Sequence, residues 1–152
     1  MKNTLTAVAG IIILAGCASP ATVYDPSVPE PQVVVNSLDT RYWEAVSKQA
    51  PHFPRSNLSR GKSGCVNVSY IITSEGRVAN PVVVKALPDK TFDRVSIEAV
   101  SQFVYRPSER NTSKEPVRTN NIFTYIVGNM PQETHQQLDA MWRSRCSVVD
   151  EQ

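Results

Sequence analysis

The clearest pattern of apolar and polar positions lies in residues 65–73, where the two kinds of side chain alternate. The apolar side of this run carries Val66, Val68, Tyr70 and Ile72. Alternation with a period of two, carried by β-branched and aromatic residues, predicts a half-buried strand. A polar turn with Gly76 follows, and a second extended run from Val78 to Ala86 predicts an antiparallel hairpin. Pro81 indicates an edge position or a bulge in that second strand, because proline cannot donate to a ladder.

Two further elements follow the hairpin. Apolar residues recur at helical spacing over residues 91–103, which predicts a helix with one apolar face. That face consists of Phe92, Val95, Ala99 and Phe103. A third strand is predicted from Val117 to Val127. The order of elements predicts an α+β fold, a small β-β-α-β domain with a three-stranded antiparallel sheet and a helix on one face.

A helix is also predicted before this unit. It is expected to begin at Asn36 or Ser37, either of which can cap a helix, and to end near Gln49 because Pro51 stops it. Its apolar stripe repeats every fourth position, at Leu38, Tyr42, Val46 and Ala50. This stripe predicts an amphipathic helix packed on the domain.

A C-terminal helix is predicted over residues 132–145. One side of it carries Leu138, Met141, Trp142 and Arg145. The third strand has apolar residues on both faces, which indicates that both faces of the sheet are covered. We therefore expect this helix to pack on the face that contains Ile71, Ile122 and Ile126.

Residues 1–17 have the features of a bacterial lipoprotein signal. Lys2 precedes an apolar stretch from Leu5 to Ala15, which is short for a bilayer-spanning helix and typical of a signal peptide. It ends in Leu14-Ala15-Gly16-Cys17, which resembles the lipobox. In that class the cysteine receives a diacylglycerol and, after cleavage, an amide-linked acyl chain such as palmitate. We expect residues 1–16 to be removed and Cys17 to be lipidated; an ordinary signal peptide with an incidental cysteine is the alternative.

The residue after the lipobox and the segment beyond it bear on location. By resemblance to Gram-negative sorting, Ala18 rather than Asp favours the outer membrane, with the domain facing the periplasm. Six of the eleven prolines lie before residue 55, and residues 17–36 are predicted to be a lipidated, proline-rich tether. In an extended conformation at about 3.1 Å per residue, this tether reaches roughly 60 Å. A short strand at residues 33–35 is the alternative.

Composition and motifs favour a binding function over nucleic-acid recognition or catalysis. The net charge of +2 is too small to indicate a nucleic-acid partner. The two histidines, His52 and His135, have no metal-ligand spacing, and neither a phosphate loop nor a nucleophile motif is present. We therefore predict a non-enzymatic binding module without catalytic residues, metal or cofactor.

Two cysteines remain once Cys17 is assigned to the lipid. The periplasm is oxidising, and a pair of free thiols there is uncommon. Cys65 begins the first predicted strand on the face assigned to the C-terminal helix, and Cys146 follows that helix. We predict a disulfide between Cys65 and Cys146; two separate buried thiols are the alternative.

Short motifs in residues 51–127 resemble the C-terminal domain of the TonB family. They are Phe53-Pro54, Gly64-Cys65-Val66-Asn67-Val68, Gly76-Arg77-Val78, Phe92-Asp93, Ala99-Val100, Tyr105-Arg106-Pro107 and Pro116-Val117. The resemblance assigns residues 37–130 to a TonB C-terminal-like domain and leaves 131–152 as a helical extension. The family's N-terminal transmembrane helix is replaced here by the lipobox, and its Tyr-Pro motif by Phe53-Pro54.

The resemblance also implies a mode of binding. In the family the last strand is an exposed edge that pairs with a short segment, the TonB box, of outer-membrane receptors. The corresponding residues here are Val117, Arg118, Thr119, Asn120, Asn121, Ile122, Phe123, Thr124, Tyr125, Ile126 and Val127. The expected partner is an extended segment of an envelope protein such as a TonB-dependent receptor.

Other roles for the same strand and the same protein stay open. The strand can instead pair within a homodimer, or be covered by residues 33–35 or by the C-terminal tail. A structural lipoprotein that contacts peptidoglycan or a Tol-type partner is the alternative function.

Overall fold

The computed structural model describes residues 24–36 and 38–147. The predicted signal peptide and Cys17 lie outside the described residues. In chain order the elements are β1 (Val33–Val34), β2 (Trp43–Ser47), α1 (Arg55–Ser59), β3 (Gly64–Ile72), β4 (Val78–Leu87), α2 (Asp93–Val100), β5 (Val104–Pro107), β6 (Val117–Tyr125) and α3 (Gln132–Cys146). No helix in this part of the chain has both the length and the apolar character needed to cross a membrane.

The predicted hairpin is present as β3 and β4, which pair antiparallel. Gly76 occupies its turn with φ of +72°, a conformation that glycine adopts without steric cost. β4 is the outer strand of its sheet, and the register shifts opposite Ser69 and Ile71. Pro81 lies at that irregularity, next to Asn80 with φ of +46°, so the prediction of an edge or bulge is confirmed.

The main sheet has four strands, in the order β1-β6-β3-β4, rather than the predicted three. The additional strand is β1, which runs parallel to β6, so the sheet is mixed. A separate two-stranded sheet joins β2 to β5 in antiparallel pairing. The α+β class is therefore right, whereas the strand count of the prediction was too low.

The predicted N-terminal helix is wrong: residues 43–47 form β2. Leu38 and Val46, which the helical stripe would have buried, are 87% and 60% exposed. Trp43 is the buried residue, and its indole Nε1 donates to the Glu115 carbonyl at 2.8 Å. Pairing with β5 decides the structure here. The helix predicted over residues 91–103 is also shorter than expected. α2 ends at Val100, and β5 begins at Val104.

The core lies between the main sheet and α2. Val66, Val68 and Tyr70 of β3 are fully buried on this face, together with Phe92 and Phe103. The hydroxyl oxygens of Tyr70 and Tyr105 are 2.7 Å apart and share a buried hydrogen bond. This satisfied polar pair fixes β5 against the core.

The opposite face of the sheet has two covers. α3 spans one residue more than predicted and packs on β3 and β6, where the Asn67 side chain donates to the Cys146 carbonyl at 3.0 Å. The Cys65 and Cys146 sulfurs are joined, with Cα atoms 6.1 Å apart. Residues 27–32 face Ile71 across a cavity at the other end of the face. The sequence had predicted that Ile71 lies under α3. It lies instead near the N-terminal segment.

Candidate interaction surface at the edge of β6

The outer edge of β6 is covered at one end only. β1 pairs with Val117 and Arg118, and no strand of the described residues pairs with this edge beyond Arg118. β6 itself ends at Tyr125, and the Val127 amide donates to the Ser63 hydroxyl at 3.1 Å. β6 is thus two residues shorter than the predicted strand, and its first two residues pair with β1. We call residues 119–125 the open edge.

The direction of individual backbone groups follows from two hydrogen bonds. The Arg118 carbonyl accepts from the Val35 amide at 2.9 Å, so it points away from β3. The Ile122 carbonyl also points outward, since it accepts from Arg143 Nη1 at 3.0 Å. Backbone groups alternate between the two sides of a strand, so those of Asn120 and Thr124 face outward as well. An incoming strand would meet the backbone groups of Asn120, Ile122 and Thr124.

A groove runs beside the open edge, with a volume of about 270 Å³. Its outer wall is the segment after β2, and its end is closed by Arg143 of α3. The lining residues are Lys48, Gln49, Ala50, Pro51, Phe103, Asn121, Ile122, Phe123, Thr124 and Arg143. Both apolar and polar side chains are therefore available to an extended segment lying against the strand.

Lys48 brings a positive charge to this groove. Its ammonium lies 5.6 Å from the centre of the Phe103 ring and 6.0 Å from that of Tyr105. It is also 3.5 Å from Asn121 Oδ1. Loss of hydration beside these rings lowers the pKa of Lys48 from its ordinary value. The charge has aromatic and amide partners, and it lies where an acidic group of a bound segment would be favoured.

The C-terminal helix positions the end of the groove. Arg143 forms an ion pair with Asp139 at 2.7 Å, and the same carboxylate accepts from the Thr124 hydroxyl. Burial raises the pKa of Asp139, but these hydrogen bonds outweigh it and the pKa is lowered. Because Arg143 also reaches the Ile122 carbonyl, α3 occupies one acceptor of the open edge.

The Phe53-Pro54 motif lies behind the end of β6 rather than in the groove. The Phe53 ring contacts the rings of Phe92 and Tyr125 edge-on, each at 5.6 Å between centroids. Phe92 and Tyr125 stack at 4.0 Å. Burial raises the pKa of Tyr125 to about 12, and its hydroxyl pairs with Ser96 at 2.7 Å. The Phe53 ring of the motif thus packs against the last residue of β6.

The described residues do not bring a metal-ligand cluster to this surface. Across residues 24–36 and 38–147, no group of three or more His, Cys, Asp or Glu side chains could hold a metal. His52 is exposed at the side of a second groove, next to Glu98 and Gln102. The arrangement offers backbone hydrogen bonds and a charged, partly apolar wall, which suits recognition of an extended chain.

Two side chains of this surface were missed by sequence reasoning. Lys48 was placed on a helix, and its position in the groove depends on the pairing of β2 with β5. Arg143 was not singled out, although its spacing of four residues from Asp139 predicts an ion pair on one face of α3.

Comparison with known families gives one match that covers about half of the chain. The family model for the Gram-negative bacterial TonB protein C-terminal matches residues 49–127. Protein TonB of Pseudomonas aeruginosa is 35% identical over 57 residues, which are 38% of this chain and 17% of that protein. Protein TonB of Yersinia enterocolitica is 41% identical over 51 residues, 34% of this chain and 20% of that protein. The chain thus spans about a fifth of the length of these relatives.

A solved structure supports the fold. The solution NMR structure of Pseudomonas aeruginosa TonB CTD superposes with a TM-score of 0.54 and 22% identity. The match covers 64% of this chain and 97% of that one. At this identity the likeness concerns the fold alone.

Proposed function

The chain belongs to the family of Gram-negative bacterial TonB protein C-terminal domains, and from this premise we propose that it is a non-enzymatic binding module of the cell envelope. It binds an extended segment of an envelope protein, which adds as a strand to the open edge of β6. A TonB-dependent receptor is the candidate source of that segment. The observation that carries the proposal is the open edge itself, where outward backbone groups lie beside a groove of about 270 Å³.

The location follows from the lipobox. Cys17 carries the lipid anchor and holds the domain on the periplasmic side of the outer membrane, the membrane that contains such receptors. The domain then meets their segments without crossing the periplasm. Strand addition needs neither a cofactor nor a metal, because its affinity comes from main-chain hydrogen bonds and its specificity from side-chain contacts.

Strand addition is tested by replacing Thr124 with proline. Proline removes an outward amide and cannot donate to an added strand, so we expect partner capture to fall at least about tenfold. A photoreactive residue in place of Gln49, which lines the groove, reports the capture in intact envelopes. Thr124→Val is the matched control, because it removes the hydroxyl bond to Asp139 but keeps the amide.

Circular dichroism must show that Thr124→Pro has a native-like spectrum before the capture is compared. Strand addition predicts that Thr124→Val recovers the wild-type partners and that folded Thr124→Pro does not. Recovery of the same partners by both variants would show that binding does not use this edge.

The anchor has its own test, replacement of Cys17 with alanine. We expect the variant to lack lipid, because the alanine side chain cannot form the thioether, and to leave the membrane fraction. Intact mass and envelope fractionation measure both effects. A variant that stays with membranes at the wild-type mass would contradict the lipobox assignment.

A further inference from the structure

One end of the β6 edge is occupied by a segment of the same chain. Val33 lies opposite Val117 and Val34 opposite Arg118 in parallel pairing, and the Val35 amide donates to the Arg118 carbonyl. β-branched residues in succession suit a strand. With only two residues paired, β1 occupies a small part of an edge that continues for the whole length of β6.

Side-chain contacts hold this segment in addition to the pairing of its backbone. Arg118 Nη2 donates to Glu30 Oε2 at 2.6 Å, and Arg118 Nη1 donates to the Ser69 hydroxyl at 3.1 Å. The hydrogen bond from Arg118 lowers the pKa of Glu30. Further along, the Asp25 amide donates to Asn80 Oδ1 at 2.8 Å, and Asn80 Nδ2 returns a bond to the Asp25 carbonyl.

We propose that residues 30–35 are an internal ligand of the β6 edge, displaced by a partner strand that runs in the same direction and brings a carboxylate to Arg118. The inference deepens the proposed function. A strand that binds the open edge and continues toward Val117 meets β1. If it is parallel to β6 it can take over the acceptor at the Arg118 carbonyl, and an acidic side chain can take over the guanidinium that Glu30 now holds.

Residues 30–35 must be displaced before an external strand can bind this part of the β6 edge. Because the segment is covalently attached, it competes at an effective concentration of about millimolar. A partner therefore binds with an affinity reduced by the fraction of time for which β1 is detached. Weak extended segments are rejected over this part of the edge, while a segment that also fills the groove by Lys48 gains enough contacts to displace β1.

The test uses the full mature chain and a synthetic peptide of residues 29–36. Val35→Pro removes the amide that donates to Arg118. Val34→Pro is the matched control, because the Val34 amide points away from β6 and its side chain is 69% exposed. Amide NMR signals of residues 117–119 report occupancy of the edge during titration with peptide to millimolar concentration.

We expect the signals of residues 117–119 to move in Val35→Pro and to return toward wild-type positions as peptide is added. Wild type and Val34→Pro should bind the peptide at least tenfold more weakly than Val35→Pro. A peptide with glutamine in place of its glutamate should bind several-fold more weakly to Val35→Pro, since it lacks the carboxylate for Arg118.

Three results would overturn the proposal. They are unchanged signals in Val35→Pro, no return of the signals at millimolar peptide, and equal peptide binding by wild type and Val35→Pro. None of them involves an envelope partner. Failure here is therefore distinct from failure of strand addition at Thr124, which the capture experiment measures.

Discussion

Removing the bond between Cys65 and Cys146 is expected to lower the free energy of unfolding by up to about 4–5 kcal/mol, the figure that the chain-entropy model gives for a loop of this size. The two cysteines are 81 residues apart in the sequence. The bond closes most of the domain into one loop, so its loss enlarges the unfolded ensemble. This is a large share of the stability of a small domain, which is usually about 5–15 kcal/mol in total.

The double variant Cys65→Ala/Cys146→Ala, compared with its parent in urea denaturation, measures the effect. Replacing both cysteines avoids an unpaired buried thiol, and Cys17→Ala in both proteins removes the remaining cysteine. Loss of less than about 1 kcal/mol would show that the entropy model does not apply to this loop. Thiol labelling of denatured, unreduced protein tests the bond itself, and two reactive thiols per chain would exclude it.

The bond also bears on the interaction surface. Cys146 lies three residues after Arg143, which reaches the Ile122 carbonyl from α3. When the end of α3 is released, we expect faster amide exchange in α3 and an Ile122 carbonyl that is more often free. The disulfide is thus expected to support the end wall of the groove in addition to the stability of the domain.

Replacing Gly76 with alanine is expected to cost roughly 3 kcal/mol, the sum of a conformational and a steric cost. Its φ of +72° is unfavourable for residues with a Cβ. A Cβ at this position would also lie 2.2 Å from the Tyr105 carbonyl oxygen and 3.3 Å from the Trp43 ring. The oxygen belongs to the backbone of β5, and the Tyr105 amide donates to the Gly76 carbonyl at 2.9 Å. Relief of the clash must therefore move β5 away from the hairpin.

Gly61→Ala separates the two costs. Gly61 has a similar φ of +62°, but nothing lies within 4 Å of a Cβ built on it. We expect this control to lose only the conformational part, about 1 kcal/mol. Both variants are compared with wild type by urea denaturation. Equal midpoints for Gly61→Ala and Gly76→Ala would show that the contact with Tyr105 adds nothing.

Elements whose signals are local were predictable. The alternation in residues 65–73 predicted β3, although the strand is buried on both faces rather than half-buried. The helical spacing after residue 131 gave α3 to within one residue. Pro81 indicated the irregularity in β4, since the missing donor restricts where proline can lie in a sheet.

Elements that depend on distant pairing were not predictable in the same way. β2 is a strand because it pairs with β5, which is distant in the sequence, with Trp43 opposite Pro107. The four-residue spacing from Leu38 to Ala50 arose without any helical face to bury. The position of Lys48 in the groove follows from that pairing and could not be derived from the residues around it.

The neighbour of β6 in the sheet was also not predictable from the sequence of β6 alone. The sequence of the last strand indicates where it begins and that most of its partly exposed positions are polar. What lies beside it depends on Val33 and Val34, two residues in a proline-rich segment. The valines themselves were a signal, since a strand at residues 33–35 was an alternative, but composition favoured a tether.

Under the proposed lipid anchor, docking of residues 24–36 on the domain would also limit how far the domain can move from the membrane. With Asp25 held by Asn80 and Glu30 by Arg118, the chain between the proposed anchor at Cys17 and the docked segment comprises residues 18–23. At about 3.1 Å per residue its reach falls from roughly 60 Å to roughly 20 Å. The volume available to an anchored domain scales with the cube of this radius, so its local concentration at the membrane surface rises by more than about tenfold. Release of residues 24–36 would restore the longer reach. Under the proposed anchor, the contacts that cover one end of the β6 edge would therefore also keep the domain near the membrane.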